Sequence, residues 1–101
     1  AWVPEIIRMA NIELPIRHTH AEAIVTERVP KMIFNNIELA DFYETIHGKQ
    51  RAVAIGIHPN LDGTLDITES VTQTDELHKR VIAWGITSIS KELLNFYPQI
   101  L

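Results

Sequence analysis

Two stretches of alternating side chains flank a short turn sequence in the second half of the chain. In residues 51–58 bulky β-branched residues alternate with small ones, and in residues 64–72 apolar residues alternate with polar ones such as Ser70. Between the two stretches, Asp62 and Gly63 form a dipeptide typical of a tight turn. The pattern predicts an antiparallel β-hairpin whose first strand has one face of small side chains, which permits close approach of a helix or another subunit. These small residues are Ala52, Ala54 and Gly56.

A second alternating stretch runs from residue 12 to about residue 29 and changes its phase on the way. Ile12, Leu14 and Ile16 share one face, but after residue 20 the apolar positions move to the opposite face. One regular strand cannot keep both sets on the same side, so we expect a bulge, a bend or two consecutive strands here. The apolar residues of the second set are Ala21, Ala23 and Val25.

Residues 36–47 carry the clearest helical pattern. Asn35 followed by Glu38 resembles a capping box, and Gly48 is a typical left-handed stop after the last turn. The apolar residues recur at the spacing of one buried helical stripe and are Leu39, Phe42, Tyr43 and Ile46. Earlier in the chain, Pro4 in a first-turn position predicts a shorter helix that ends near Asn11.

The last helix is predicted from about residue 75 to residue 97. Thr74 is a suitable N-cap residue, and Pro98 ends the helix. Because glycine costs roughly 1 kcal/mol relative to alanine inside a helix, Gly85 indicates either a break or a tight crossing with a neighbouring element. The apolar seam of this helix has near-heptad spacing and consists of Ile82, Ile86, Ile89, Leu93 and Phe96.

The predicted order of elements is a short helix, one or two strands, a helix, a hairpin and a long helix. This order is typical of an α+β fold. We therefore expect a small antiparallel sheet with two main helices packed on one face, as a two-layer sandwich, in a single domain that covers residues 1–101. Such a sheet has edges that must be covered, charged or paired with a neighbour.

Composition and charge exclude several classes of function. The chain has no cysteine, which excludes disulfide frameworks, thiol catalysis and thiolate zinc sites. Its net charge is −4 and its nine basic residues are scattered, so nucleic-acid binding is not favoured. A nucleic-acid accessory protein would depend on Arg51, Lys79 and Arg80. No apolar run approaches the ~20 residues that cross a bilayer, and we expect a soluble, acidic, cytoplasmic protein without a cofactor or a membrane partner.

One group of residues has a spacing suitable for metal binding or acid–base catalysis. If the segment is a strand, the side chains of His18, His20 and Glu22 point to the same face. They could bind Zn²⁺, Mn²⁺ or Fe²⁺, or transfer protons near neutral pH, with His58 as a candidate fourth group. The other interpretation is an ordinary solvated strand face. A small metal-binding or acid–base enzyme that uses these four residues is therefore the alternative hypothesis.

Other catalytic signatures are missing, whereas apolar residues are abundant in the last helix and its tail. The sequence has no glycine-rich phosphate loop and no serine in a nucleophile-elbow context. An apolar surplus of this kind packs on its own core or marks an interface. Our main prediction is a non-enzymatic protein–protein interaction or assembly module that self-associates through part of the last helix and a sheet edge. The predicted interface residues are Trp84, Ile86, Ile89, Leu93, Phe96 and Tyr97.

Overall fold

The protein is an α+β fold built on a four-stranded antiparallel sheet with helices packed against it, which confirms the predicted fold class. The computed structural model describes residues 2–74 and 80–100. Its elements in chain order are α1 (Val3–Met9), β1 (His18–Val25), β2 (Ile37–Glu38), α2 (Phe42–Ile46), β3 (Arg51–Pro59), β4 (Leu65–Thr74) and α3 (Ala83–Phe96), followed by a 3-10 turn (Pro98–Ile100). The strand order in the sheet is β1-β4-β3-β2, and each neighbouring pair is antiparallel.

Strands β3 and β4 form the predicted hairpin. Its turn is held by Asp62, whose Oδ1 accepts a hydrogen bond from the Thr64 backbone N–H at 3.0 Å and another from the Thr64 hydroxyl at 2.7 Å. These two hydrogen bonds, the backbone one foremost, hold the pKa of the Asp62 carboxyl below its usual range. Gly63 has a φ of 91°, a left-handed conformation that favours glycine. The hairpin prediction is therefore confirmed.

The core lies between the sheet and α3. One face of the sheet, which we call the helix face, carries the buried residues Ile55, Ile57 and Ile67. Ile89 and Leu93 of α3 pack against them in the same cluster. Full burial of one such aliphatic side chain contributes about 1.5–3 kcal/mol, so this two-layer contact holds the sheet and α3 together.

The register of β4 shifts against both of its neighbours between Ile67 and Ser70. On the side of β1, Glu22 is opposite Ser70 but Ile24 is already opposite Ile67. The extra residue of this bulge lies in β4, whereas burial alternates regularly along β1, so the bulge does not produce the change of phase predicted near residue 20. The register shift also means that Ser70 lies on the helix face with Ile67, and only 2% of Ser70 is exposed. The alternation in residues 64–72 predicts that Ser70 lies on the face opposite Ile67, and this prediction is wrong because the bulge interrupts the alternation of side chains.

The helix predicted over residues 36–47 is wrong in its first half. Two of these residues form β2, and the next, Leu39, donates its N–H to the Ile55 carbonyl at 3.2 Å. Helix α2 is therefore short, and its N-cap residue is Asp41 rather than Asn35. Pairing with β3 satisfies the backbone groups of this segment, so the tertiary contact overrides the local helical pattern.

The end of α2 agrees with the sequence pattern better than its start. Gly48 has a φ of 72°, which confirms the left-handed stop. Tyr43, however, does not join the predicted buried stripe: its side chain is exposed and its ring stacks on that of His47, with 4.8 Å between the ring centroids.

Helix α3 is shorter than predicted. Thr74 is the last residue of β4 instead of the N-cap, and the predicted helical residues 75–79 lie outside the described residues. Sheet pairing continues to this end of β4, where the Gln73 N–H donates to the Gln50 carbonyl at 2.8 Å. The N-cap residue of α3 is Ile82, whose side chain has no polar atom. The group that caps this helix must therefore come from another element.

Residues 2–17, which we call the arm, precede the first strand, and their helix α1 makes at most weak contact with the other elements. The arm comprises α1, which confirms the short helix predicted after Pro4, and a segment that leads into β1. The strand predicted from residue 12 begins only at His18. The molecule measures 53 × 26 × 25 Å with a radius of gyration of 16.2 Å, whereas roughly 13 Å is typical of a compact chain of this length. No residue of the arm is buried.

Candidate functional site

A polar group of residues lies on the helix face, close to the start of α3. His18, His20 and Glu22 share one face of β1, as predicted, and Glu22 is well enclosed, with 8% of its side chain exposed. Its Oε1 lies 3.2 Å from Nε2 of His20, and its Oε2 accepts a hydrogen bond from the Ser70 hydroxyl at 3.3 Å. We call His20, Glu22 and Ser70 the Glu22 cluster.

Glu22 also caps helix α3. Its Oε1 accepts a hydrogen bond from the backbone N–H of Ile82, the N-cap residue. A negative charge near a helix N-terminus is stabilised by about 0.3–1 kcal/mol, and by up to ~2 kcal/mol where it is partly buried. The helix therefore starts where a carboxylate from a distant strand satisfies one of its unpaired backbone N–H groups.

The Glu22 cluster requires a glycine at residue 85 of α3. A Cβ on Gly85 would lie 1.7 Å from Oε2 of Glu22 and 2.5 Å from the hydroxyl oxygen of Ser70. Real atoms cannot approach so closely, so any side chain would push α3 away from the sheet. Of the two interpretations of Gly85 in the sequence, a break or a tight crossing, the structure shows the tight crossing.

The order of contacts in the Glu22 cluster suits a structural role. A nucleophilic serine needs a base in contact with its hydroxyl, and in a serine–histidine–carboxylate arrangement the imidazole stands between the other two groups. Here the carboxylate stands between them, with Ser70 on one oxygen and His20 on the other. Capping of α3 accounts for the position of Glu22 without a catalytic role.

His58 lies apart from the other candidate residues. The residue before it is fully buried on the helix face, so His58 points to the opposite face. Its Nε2 there lies 3.6 Å from Oε1 of Glu38 and 3.4 Å from the hydroxyl oxygen of Thr68. Over residues 2–74 and 80–100, no three His, Asp or Glu side chains are arranged so that they could hold a metal ion. His58 therefore does not join His18, His20 and Glu22 as the fourth group of the alternative hypothesis.

The six predicted interface residues fall into two groups. Ile89 and Leu93 belong to the core of the protomer, so they cannot also present a surface to a partner. The other four are partly exposed or exposed and stay a prediction. They are Trp84, Ile86, Phe96 and Tyr97.

The three basic residues of the nucleic-acid alternative have different surroundings. The Arg51 guanidinium lies over the ring of Trp84, 5.3 Å from its centroid, in a cation–π contact. Arg80 lines a groove next to β1. Lys79 lies outside the described residues.

The face of the sheet opposite α3 forms a groove with α2. The groove has a volume of about 580 Å³, and Tyr43 and Ile46 of α2 line it together with Ala21 and Val71 of the sheet. Glu69 also lines this groove, and burial raises the pKa of its carboxyl above the usual range. A charged carboxylate is therefore unfavourable at this position relative to water.

Exposed apolar side chains are concentrated in the arm. Met9 is 86% exposed, and Trp2 and Ile6 are each more than 60% exposed. The segment between α1 and β1 adds a second apolar set, which consists of Ile12, Leu14 and Ile16. The sequence pattern places this second set in a partly buried strand, whereas in the structure it lies before β1. The change of phase near residue 20 indicates that residues 12–16 and the apolar residues after residue 20 belong to different structural elements.

No family model, curated protein or solved structure matches the chain. Within the described residues, no helix combines the length and the hydropathy needed to span a bilayer. The surfaces of the protein, in particular the arm and the edge of the sheet, are the features that remain to indicate a function.

Proposed function

We propose that this protein is a non-enzymatic assembly module that self-associates, with the arm as part of its interface. One observation carries the proposal: the arm is rich in large apolar side chains but contains no buried residue. Many exposed apolar side chains within one short segment are typical of protein–protein interaction sites.

The apolar content of the arm is large enough to matter energetically. Seven large apolar side chains in residues 2–17 are between 43% and 86% exposed. Covering them would contribute on the order of 10 kcal/mol, which is comparable to the roughly 4–15 kcal/mol that association costs. A second copy of the chain is the partner we propose, because most soluble oligomers are symmetric homo-oligomers. The seven residues are Trp2, Val3, Ile6, Met9, Ile12, Leu14 and Ile16.

The alternative hypothesis, a metal-binding or acid–base enzyme that uses His18, His20 and Glu22, has weaker support. The Glu22 carboxylate already accepts hydrogen bonds from Ile82 and Ser70. Its burial and its contacts are those expected of a capping group, so they do not require a bound metal or substrate.

Sedimentation equilibrium or light scattering at micromolar concentrations tests the proposal. We expect a mass of about twice the 11.5 kDa protomer that falls towards one protomer on dilution. The double variant Ile6→Asp/Met9→Asp should weaken association about tenfold or more, because two carboxylates would have to be desolvated in the interface. Leu61→Asp, at a fully exposed position in the hairpin turn, is the matched control and should leave association unchanged.

Two results would contradict this proposal. The first is a mass of one protomer at every concentration measured. The second is an equal loss of association in Leu61→Asp and in the arm variant, since this would mean that added charge anywhere on the surface has the same effect as charge on the arm.

A further inference from the structure

Strand β1 has a long outer edge without a strand partner in residues 2–74 and 80–100. It stands at the end of the sheet order and pairs only with β4. Just after β1, the N–H of Thr26 donates to the Leu65 carbonyl at 3.0 Å, so the even-numbered residues of this segment direct their backbone groups towards β4. Because these groups alternate along a strand, the odd-numbered residues direct theirs outward. These outward residues are Thr19, Ala21, Ala23 and Val25.

A groove follows this edge. It has a volume of about 480 Å³ and is lined on one side by five consecutive residues of β1, positions 19–23. Arg80, Val81 and Ile86 line its other side. Consecutive strand residues have side chains on opposite faces, so a groove that touches all of them runs along the edge itself. It therefore offers both backbone hydrogen-bonding groups and apolar surface.

β1 lacks two features that commonly prevent edge pairing. Its eight residues include neither lysine nor proline, and their burial alternates without interruption past the register shift. The strand at the opposite edge of the sheet, β2, has only two residues. A long, regular edge strand is a template for another strand, whereas a very short one is not.

We propose that β1 pairs antiparallel with β1 of a second copy, about a two-fold axis at Ala21, to form one continuous eight-stranded sheet. This inference rests on the proposed function, because it specifies where self-association takes place. Residues opposite each other in an antiparallel pair share a face, so only registers that keep odd opposite odd are allowed.

Chemistry selects one register among these. If the two-fold axis is moved by one residue to Glu22, Glu22 lies opposite Glu22 of the partner subunit. Two carboxylates directly opposite each other are unfavourable. If the axis is moved by one residue to His20, Pro15 lies opposite Val25 of the partner subunit. Pro15 has no N–H, so it cannot donate to the outward backbone groups of Val25 of the partner subunit. The register with Ala21 opposite the partner subunit's Ala21 avoids both conflicts and pairs nearly all of β1, whereas larger shifts leave fewer residues of β1 paired.

This register also brings hydrogen-bonding side chains of the two protomers together. It places His20 of each protomer next to Glu22 of the partner subunit on the helix face, twice in the dimer. These are non-hydrogen-bonded pairs, in which side chains come closest. On the other face it places alanine opposite alanine at the axis, so no side chain hinders the approach of the two strands.

The test is a charge-swap experiment at the two-fold axis. Ala21→Lys and Ala21→Glu each place like charges directly opposite each other, so each variant alone should lose association about tenfold or more. An equimolar mixture of the two should associate as a heterodimer, which also shows that both variants are folded. Ala40→Lys, at an exposed alanine before α2, is the matched control and should associate like the unmodified chain.

The outcomes separate this inference from the proposed function. If the unmodified chain is monomeric at every concentration, self-association itself is wrong and this inference falls with it. If the unmodified chain dimerises and both Ala21 variants still do so, the edge pairing alone is wrong and the interface lies elsewhere. If each variant is monomeric and the mixture is monomeric too, the assigned register is wrong.

Discussion

One carboxylate, that of Glu22, determines how closely α3 approaches the sheet. It belongs to β1, accepts a hydrogen bond from Ser70 of β4, and caps α3 at Ile82. A buried carboxylate is tolerated only where its oxygens have partners, and both oxygens have them here. Because the helix passes directly over this group, residue 85 has no room for a side chain.

At the residue scale we predict that Gly85→Ala destabilises the protein. Alanine gains about 1 kcal/mol in helix propensity, but its Cβ collides with Glu22 and Ser70, and overpacking of this kind costs about 1–3 kcal/mol or more. Urea unfolding should therefore show a net loss of stability. Thr87→Ala, at an exposed position of the same helix, is the control and should gain roughly 0.5 kcal/mol.

The collision with Glu22 can be separated from other effects of the Gly85 substitution. In a Glu22→Ala background the nearest clashing atom is absent, so the additional loss caused by Gly85→Ala should be smaller. A Gly85→Ala protein at least as stable as the unmodified chain would mean that α3 does not cross the sheet at this distance.

We also predict that Glu69→Gln stabilises the protein at neutral pH. Burial raises the pKa of the Glu69 carboxyl, so the folded state binds this proton more tightly than the unfolded state does. The contribution of Glu69 to stability is therefore greatest when the carboxyl is protonated, and it decreases as the pH rises through the interval between the ordinary and the raised pKa. Glutamine has no charge to desolvate, so it avoids this loss.

Thermal unfolding as a function of pH measures the effect of Glu69→Gln. The melting temperature should exceed that of the unmodified chain at pH 7, and the difference should disappear below about pH 4, where the glutamate is protonated in both states. The exposed Glu27→Gln is the control and should give no comparable gain. A gain that persists unchanged at acid pH would show that it does not come from the charge of Glu69.

At the scale of elements, local sequence patterns predicted those elements whose stabilising contacts are made between residues close in the sequence. The β3–β4 hairpin follows from alternation and from the turn residues Asp62 and Gly63, all of which act within a few positions. Residues 36–47 have an equally clear local pattern, but Leu39 hydrogen-bonds to Ile55 in a strand that the local pattern does not contain. The start of α3 was missed for the same reason, because its cap is Glu22 of β1.

The candidate site was predictable to a similar extent. Strand spacing alone placed His20 and Glu22 on one face, and the structure brings them into contact. Ser70 was missed, because the bulge in β4 reverses its orientation and no local signal marks a bulge. The separation of His58 from His20 and Glu22 also depends on the strand order, in which β4 lies between β1 and β3, and the sequence pattern does not specify this order.

At the scale of the whole molecule, two features point outward from the core. The arm carries apolar side chains that the protomer does not bury, and β1 carries backbone groups that pair with no strand among the described residues. The two features are adjacent, because the arm leads directly into β1. In a dimer paired through β1, each arm starts at the shared edge and lies within reach of the other protomer, so the same association can cover both.

The arm should therefore contribute to the stability of the assembly and not to that of the isolated protomer. We predict that the melting temperature of the unmodified chain rises with protein concentration, since association stabilises the folded state by mass action. The triple variant Ile12→Ser/Leu14→Ser/Ile16→Ser should lose most of this dependence and melt like the unmodified chain at the lowest concentration. Ile57→Ala, in the core, should instead lose about 2–5 kcal/mol at every concentration and keep the dependence. If the triple variant is destabilised as strongly as Ile57→Ala at the lowest concentration, the arm packs on its own protomer.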